Sequence, residues 1–354
     1  MKITIKDIAQ KSDVSISTVS KIISGKYKTD NIKISEATIE RVQKVAKEMN
    51  YEPDYGAQLL STGKTFTIGI YMPKSKNGAF YFSHYYAGLI DSIEKEAVKS
   101  GYDILLINYG SYINKFNTKR IDGLIIIEQY IEDKDLEYLL KENKPFVIIN
   151  NLIDMKLNLY SVNIDNYAGI KMAVEYFIEN NHKKLAFIGE LVEKPQKEHM
   201  MRLEYFKEIL KENKMDVNEE MLLIDGVQGI TENIKKHYYN QLSGYMGMEY
   251  LYKKYWKKFT GVFCANDVIA LGAMNYLYKK GIKVPEDVSI IGFDNVDFAE
   301  HLMGGLTTIR QPLDKMGKNA FELLLRLMNK EGTEEKRKIE VDPELIARGT
   351  VAKI

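Results

Sequence analysis

Apolar residues in this chain change their spacing once, near residue 66. Before that point they recur every three or four positions. Ile5, Ile8 and Ala9 make one such face, Val19, Ile22 and Ile23 a second, and Ile39, Val42, Ala46 and Met49 a third. That period is helical. Thr4 followed by Asp7 fits a capping box at the first helix, Ser15 fits the cap of the second, and Ser35-Glu36-Ala37-Thr38 starts the third. Polar Lys11-Ser12-Asp13 interrupts the pattern and places a tight turn between the first two helices. Three short helices are the minimum that buries such a pair.

From Phe66 onward, short apolar runs alternate with helical stretches. Thr67–Met72, Tyr102–Asn108, Gly123–Ile127 and Phe146–Ile149 read as buried parallel strands, and a second series follows at Lys184–Ile188, Met221–Asp225, Gly261–Ala265 and Val288–Phe293. Helical patterns lie between them, among them Leu89–Val98, Leu136–Leu140, Gly169–Glu179, Arg202–Lys211, Tyr245–Tyr252 and Val268–Lys280. Two series of β-α-β units imply two doubly wound lobes with right-handed crossovers. Open sheets of this kind bind ligands at the carboxyl ends of their strands, so two facing lobes make a cleft.

Charge adds a second function to this picture. The chain has 354 residues and a net charge of only +1, which excludes a general basic coat for nucleic acid. Residues 1–28, however, hold Lys2, Lys6, Lys11, Lys21, Lys26 and Lys28 against Asp7 and Asp13, a local balance of 6 − 2 = +4. The outer face of the second helix carries Ser17, Ser20, Lys21 and Ser24. Short polar and cationic side chains on a helix suit the major groove, where they approach base edges and phosphates. The same pattern also fits a pair of surface helices.

Other chemistry is thin. One cysteine, Cys264, excludes a disulfide framework within the chain and fits a reducing compartment. The start, MKITIKDIAQ, has no apolar run of the secretory kind, and no apolar stretch approaches the length of a membrane span. Gly63-Lys64-Thr65 resembles the end of a phosphate-binding loop, but Gln58 stands where that motif needs glycine. The histidines, at 84, 182, 199, 237 and 301, show no metal spacing, and no nucleophile-base set can be argued. No cofactor is expected.

TIKDIAQKSDVSISTVSKIISG (Thr4 to Gly25) with KISEATIERVQKVAKEMNYEPD resembles the head-piece of the lactose-repressor (LacI/GalR) family of bacterial transcription regulators. The likeness continues through VNIDNYAGIKMAVEYFIENNHKKLAFIG, GVFCANDVIALGAMNYLYKKGIKVPEDVSIIGFDN, LTTIRQPLDKMGKNAFELL and PELIARGTV, nearly the whole chain. It implies a helix-turn-helix DNA-binding domain over 1–52, a hinge helix and linker over 53–65, and a two-lobed, periplasmic-binding-protein-like domain over 66–354. By the resemblance, the first lobe takes about 66–162 and 295–325, the second about 163–294 and 326–354, with crossings near Asn163, Asp294 and Leu325.

The resemblance also implies site residues. Ile16, Ser17 and Lys21 fall on the family's base-reading positions, with Thr4, Ser15, Thr18 and Ser20 around them, and Ala57 and Leu60 match a hinge helix that meets its twin over the minor groove. Gly56 departs from that helix and weakens it by about 1 kcal/mol relative to alanine. For a polar effector, Arg202 in RLEYF matches the family's forked arginine, with Tyr205 in place of the usual glycine. Asn266, Asp294, Tyr81, Phe82 and Tyr239 match further effector positions, and Asn150 stands where the family has aspartate. Asn266 and its neighbour Asp267 fit helix capping as well as ligand contact.

The expected function is a cytoplasmic, homodimeric repressor of a carbohydrate-use operon, bound to a pseudo-palindromic operator and released by a small sugar-like effector. The alternative is a family member using a purine or partner protein as co-repressor; the head-piece and the start of the chain argue against a sugar-uptake binding protein, and with no nucleophile-base set or cofactor motif an enzyme of the two-lobed cleft is not expected.

Overall fold

A computed structural model of the chain describes residues 3–23, 34–51, 63–72, 84–108, 120–127, 133–141, 144–150, 159–192, 195, 197–225, 240–302, 304–331 and 337–354. The first three helices are α1 (Ile5–Ser12), α2 (Ile16–Ile23) and α3 (Glu36–Glu48). Their ends are closed by the residues the sequence marks. The Asp7 carboxylate accepts from the Thr4 amide at 2.8 Å and the Thr4 hydroxyl at 2.7 Å, which holds Asp7 below the usual carboxylate range. Ser15 Oγ accepts from the Thr18 amide at 3.1 Å, and Ser35 Oγ from the Thr38 amide at 3.3 Å. Ile8, Ala9, Val19, Ile22, Val42, Val45 and Ala46 form the small core. Asp13, with φ of 50°, makes the turn between α1 and α2.

Two six-stranded sheets follow. The first is ordered β11-β5-β4-β3-β1-β2, from β1 (Thr67–Met72), β2 (Asp103–Asn108), β3 (Gly123–Ile127), β4 (Phe146–Ile149), β5 (Ser161–Ile164) and β11 (Lys338–Val341). The second is ordered β12-β10-β9-β8-β6-β7, from β6 (Leu185–Ile188), β7 (Leu222–Leu223), β8 (Gly261–Cys264), β9 (Ser289–Asp294), β10 (Thr307–Arg310) and β12 (Glu344–Ile346). The β12–β10 pair is antiparallel, and the other paired strands are parallel.

Helices α4 (His84–Lys99), α5 (Asp133–Lys141) and α10 (Leu313–Met328) belong to the first lobe; α6 (Asn166–Glu179), α7 (Lys197–Glu212), α8 (Asn240–Tyr255) and α9 (Asp267–Lys279) belong to the second. In α10 the buried positions Met316, Ala320, Phe321, Leu323 and Leu324 form one face, which joins Leu89, Ile93 and the strand residues in a common core. Helices α8 and α9 meet backbone to backbone. A Cβ at Gly244 would run into the Ile269 carbonyl, and one at Gly272 into the Gln241 carbonyl.

The lobe boundaries differ from those expected. The first crossing follows β5, close to Asn163. The second lies at residues 311–312, after β10, and not near Asp294; the third lies at residues 342–343, between β11 and β12, and not near Leu325. Thus β10 belongs to the second sheet and β11 to the first. β10 escapes an apolar-run reading because its buried Thr307 and Thr308 are polar. Thr307 Oγ1 accepts from the Arg348 amide at 2.9 Å and Thr308 Oγ1 donates to Asp267 Oδ1 at 2.6 Å, which makes their burial acceptable.

Candidate effector cleft and nucleic-acid interface

The strand ends converge where the lobes meet. Asn150 follows β4, Ala265 and Asn266 follow β8, and Asp294 ends β9. Helix α7 brings Arg202 among them. Arg202 is 1% exposed, yet its guanidinium is well held. Nε donates to Asn166 Oδ1 at 2.9 Å and NH1 to the Ala265 carbonyl at 2.6 Å. The plane lies 3.7 Å above the Phe293 ring, and the carboxylates of Asp294 and Glu198 stand 3.8 and 3.9 Å away. Its remaining nitrogen, NH2, is buried with no hydrogen-bond partner. Tyr205, in place of the expected glycine, leaves α7 unbroken and packs edge-on against Tyr167 at 5.5 Å.

A hydrogen-bonded line crosses from this cluster to the first lobe. Gln311 Nε2 donates to Asp294 Oδ1 at 2.7 Å. Asn150 Nδ2 lies 3.5 Å from Gln311 Oε1 and donates to the Tyr85 hydroxyl at 2.6 Å, while Asn150 Oδ1 accepts from the Ile164 amide at 3.1 Å. Two members of the line have unusual backbones: φ is 54° at Asn150 and 112° at Asp294. A non-glycine residue at the latter value is strained, and such strain concentrates at functional positions. Tyr85 and Asp294 also share the wall of an open cavity of 360 Å³ with Asp91, Asp297 and Leu313.

Burial dominates the electrostatics. It raises the Asp294 carboxyl to about 6, against the pull of Arg202 and the Gln311 hydrogen bond. It raises the Tyr85 phenol well above its ordinary value, with Glu198 across the cleft adding to the effect. His199, next to Glu198 on α7, is pushed down to about 3 by burial and by Arg202.

Asn266 and Asp267 divide the two roles expected of them. Asn266 caps α9, its Oδ1 accepting from the Ile269 amide at 2.8 Å, while its Nδ2 faces His199 Nε2 at 3.4 Å. Asp267 turns away from the cleft: it accepts from Val296 N at 2.9 Å and Thr308 Oγ1 at 2.6 Å, and burial then Asp294 raise its carboxyl well above the usual range. The cleft therefore joins Asn150, Arg202, Asn266 and Asp294 and adds Tyr85, Glu198, His199 and Gln311, which the sequence reading missed. Tyr81, Phe82, Tyr239, Ala57 and Leu60 lie outside the described residues.

On the head-piece, Ser15, Ile16 and Ser17 are exposed at the start of α2, Ile16 at 50%, with Thr18, Ser20 and Lys21 half-buried beside them and Thr4 exposed at the start of α1. Ile16 thus stands half in solvent at a helix start, an apolar side chain framed by hydroxyls. Ser15 Oγ is already engaged with Ser17 Oγ at 2.9 Å and Thr18 Oγ1 at 2.8 Å.

A capped helix-turn-helix ahead of a two-lobed, doubly wound core with a polar buried cleft defines a class: DNA-binding regulators built on a periplasmic-binding-protein-like module. Comparison with known proteins narrows it. Residues 4–54 match the model for bacterial regulatory proteins of the lacI family, and residues 174–351 that for the periplasmic binding protein-like domain. The HTH-type transcriptional repressor PurR of Vibrio vulnificus is 34% identical over 359 residues, covering 99% of each chain. A lac repressor dimer solved with operator and an anti-inducer shares the fold, with a TM-score of 0.73 at 21% identity over 99% of this chain and 100% of that one. A lacI-family regulator from Enterococcus faecium with bound ribose gives a TM-score of 0.67 at 25% identity over 81% of this chain and 99% of that one. The chain belongs to the lacI family and is a DNA-binding transcriptional repressor. Among the described residues, no helix is long and apolar enough to cross a membrane.

Proposed function

We propose that this repressor controls a carbohydrate-use operon and leaves its operator when a small sugar-like effector closes on the cleft. The observation that carries the reading is Arg202. A guanidinium fully withdrawn from solvent, at the strand ends of one lobe and facing polar groups of the other, retains a donor nitrogen with no hydrogen-bond partner. Buried donors without acceptors are rare in proteins and suit a ligand that brings an oxygen. Asn150, Asn266 and Asp294 complete a set that can donate to and accept from hydroxyls. The Enterococcus faecium relative, solved with ribose, supports a sugar as the ligand class.

On the DNA side, Ile16, Ser17 and Lys21 read base edges, Thr4, Ser15, Thr18 and Ser20 meet the backbone, and Ala57 and Leu60 serve a hinge helix paired over the minor groove. One head-piece is too small for tight specific binding, so two copies of the chain act as a dimer on a pseudo-palindromic site. The protein works in the cytoplasm and turns over no substrate. Switching requires about 1–3 kcal/mol of coupling between cleft and head-piece. Thermal-shift screening of the full chain against sugars and nucleobases tests the ligand class, since a bound ligand raises the melting temperature by mass action. Stabilisation by a sugar supports the reading; stabilisation by nucleobases alone contradicts it.

A further inference from the structure

We propose that His199 is a specificity-determining residue, presenting an N–H at Nδ1 to an effector hydroxyl within a set formed with Arg202 and Glu198. The inference rests on the effector-cleft reading and adds to it the group that selects a polyol.

The tautomer follows from the helix cap. Asn266 Oδ1 is committed to the Ile269 amide at 2.8 Å, so the other end of this side chain, its NH2, faces His199 Nε2 at 3.4 Å. An amide NH2 only donates, so Nε2 must carry the lone pair. Burial and the neighbouring Arg202 charge keep the ring neutral, and its single proton then sits on Nδ1. His199 is 2% exposed, and Nδ1 has no hydrogen-bond partner.

Arg202 NH2 is the second buried donor in this condition on the same helix. Residues 199 and 202 are three apart, and 198 and 202 four apart, so all three side chains share one helical face. Glu198 Oε2 stands 3.9 Å from Arg202 NH2, an ion pair beyond hydrogen-bond reach, and places a carboxylate beside the two donors. Two donors beside a carboxylate call for a ligand that both accepts and donates. A hydroxyl does both through a single oxygen, whereas a nucleobase must set a carbonyl or ring nitrogen against the two donors and a separate N–H against the carboxylate. Adjacent hydroxyls of a polyol therefore match this face, and the ligand class is a neutral sugar or alditol.

Two measurements test this on the full-length chain. In the first, nitrogen NMR of histidine-labelled protein reports the His199 tautomer near neutral pH. The proton is expected on Nδ1, and Asn266→Asp, which keeps a helix cap but offers an acceptor to Nε2, is expected to move it. A proton on Nε2 in the parent protein overturns the proposal. In the second, calorimetric affinity is measured for a panel of ribose, glucose, cellobiose, sorbitol, adenine and guanine. An asparagine amide can overlay Nδ1 of histidine, and a glutamine amide overlays Nε2. His199→Asn is thus expected to keep sugar affinity within a few-fold, and His199→Gln to lose roughly 10- to 100-fold, with the folded dimer checked by its melting curve. Equal sugar affinity in His199→Gln and the parent overturns the role of His199 while leaving the cleft reading intact. A panel in which no polyol binds overturns both.

Discussion

Gln311 Nε2 donates to Asp294 Oδ1 across 2.7 Å, although Gln311 leads into α10 of the first lobe and Asp294 ends β9 of the second. The bond sits on a crossing segment, so a hinge motion of the lobes must either carry it along or break it. Gln311 is 3% exposed, and its loss leaves buried partners unsatisfied. Gln311→Leu should destabilise the core by about 1–3 kcal/mol in chemical denaturation. It should also weaken the response of operator binding to effector. An unchanged response would show that the line of hydrogen bonds plays no part in switching.

Asp294 gives a pH signature. Its folded value, about 6, lies above the ordinary 3.8, so the folded state holds a proton the unfolded state has lost. The contribution is present in full below the unfolded value and is lost as pH rises through about 6. With one unit equal to about 1.4 kcal/mol, the loss is roughly 3 kcal/mol. Asp294→Asn should therefore gain stability relative to the parent between pH 4 and 7. Denaturation curves at these two pH values check the sign; a variant that instead loses ground as pH rises contradicts the assignment.

Asp267 should matter for stability and not for ligand choice. It ties Val296 and Thr308 to the start of α9 from a fully buried position. Asp267→Ala orphans both donors and should cost about 2–5 kcal/mol of stability. If the variant is instead as stable as the parent but blind to effector, Asp267 belongs to the binding site.

How much of this was legible beforehand depends on what each element buries. β1, β3 and β4 are apolar runs within parallel sheets, and their limits in the structure are those read from the chain. β10 and β11 are not such runs: TTIR buries two threonines satisfied by partners more than 40 positions away, and KIEV alternates. The second and third crossings, expected from the resemblance near Asp294 and Leu325, instead follow β10 and β11. In the site, Arg202 and Asp294 stood out through motifs. Tyr85, His199 and Gln311 carried no signal, because their meaning lies in contacts across 65, 67 and 17 positions, which no local pattern encodes.

The head-piece makes a separable prediction. Ile16 is half exposed at the start of α2, next to Ser17. Replacing both should change the preferred operator by about 1–3 kcal/mol at the contacted base pairs while leaving nonspecific, salt-dependent binding nearly intact. Selection of binding sites from random DNA checks this. An identical preferred site after both replacements would remove these residues from base reading.

Cleft and operator should be linked with opposite preference. This linkage is tested most directly by fluorescence anisotropy of labelled operator with the full-length dimer, at fixed salt, while a sugar that stabilises the protein is titrated. Operator affinity should fall by about 5- to 150-fold at saturation, with operator lowering sugar affinity by the same factor, as linkage requires. Operator affinity that stays constant, or tightens, as the cleft fills would contradict it.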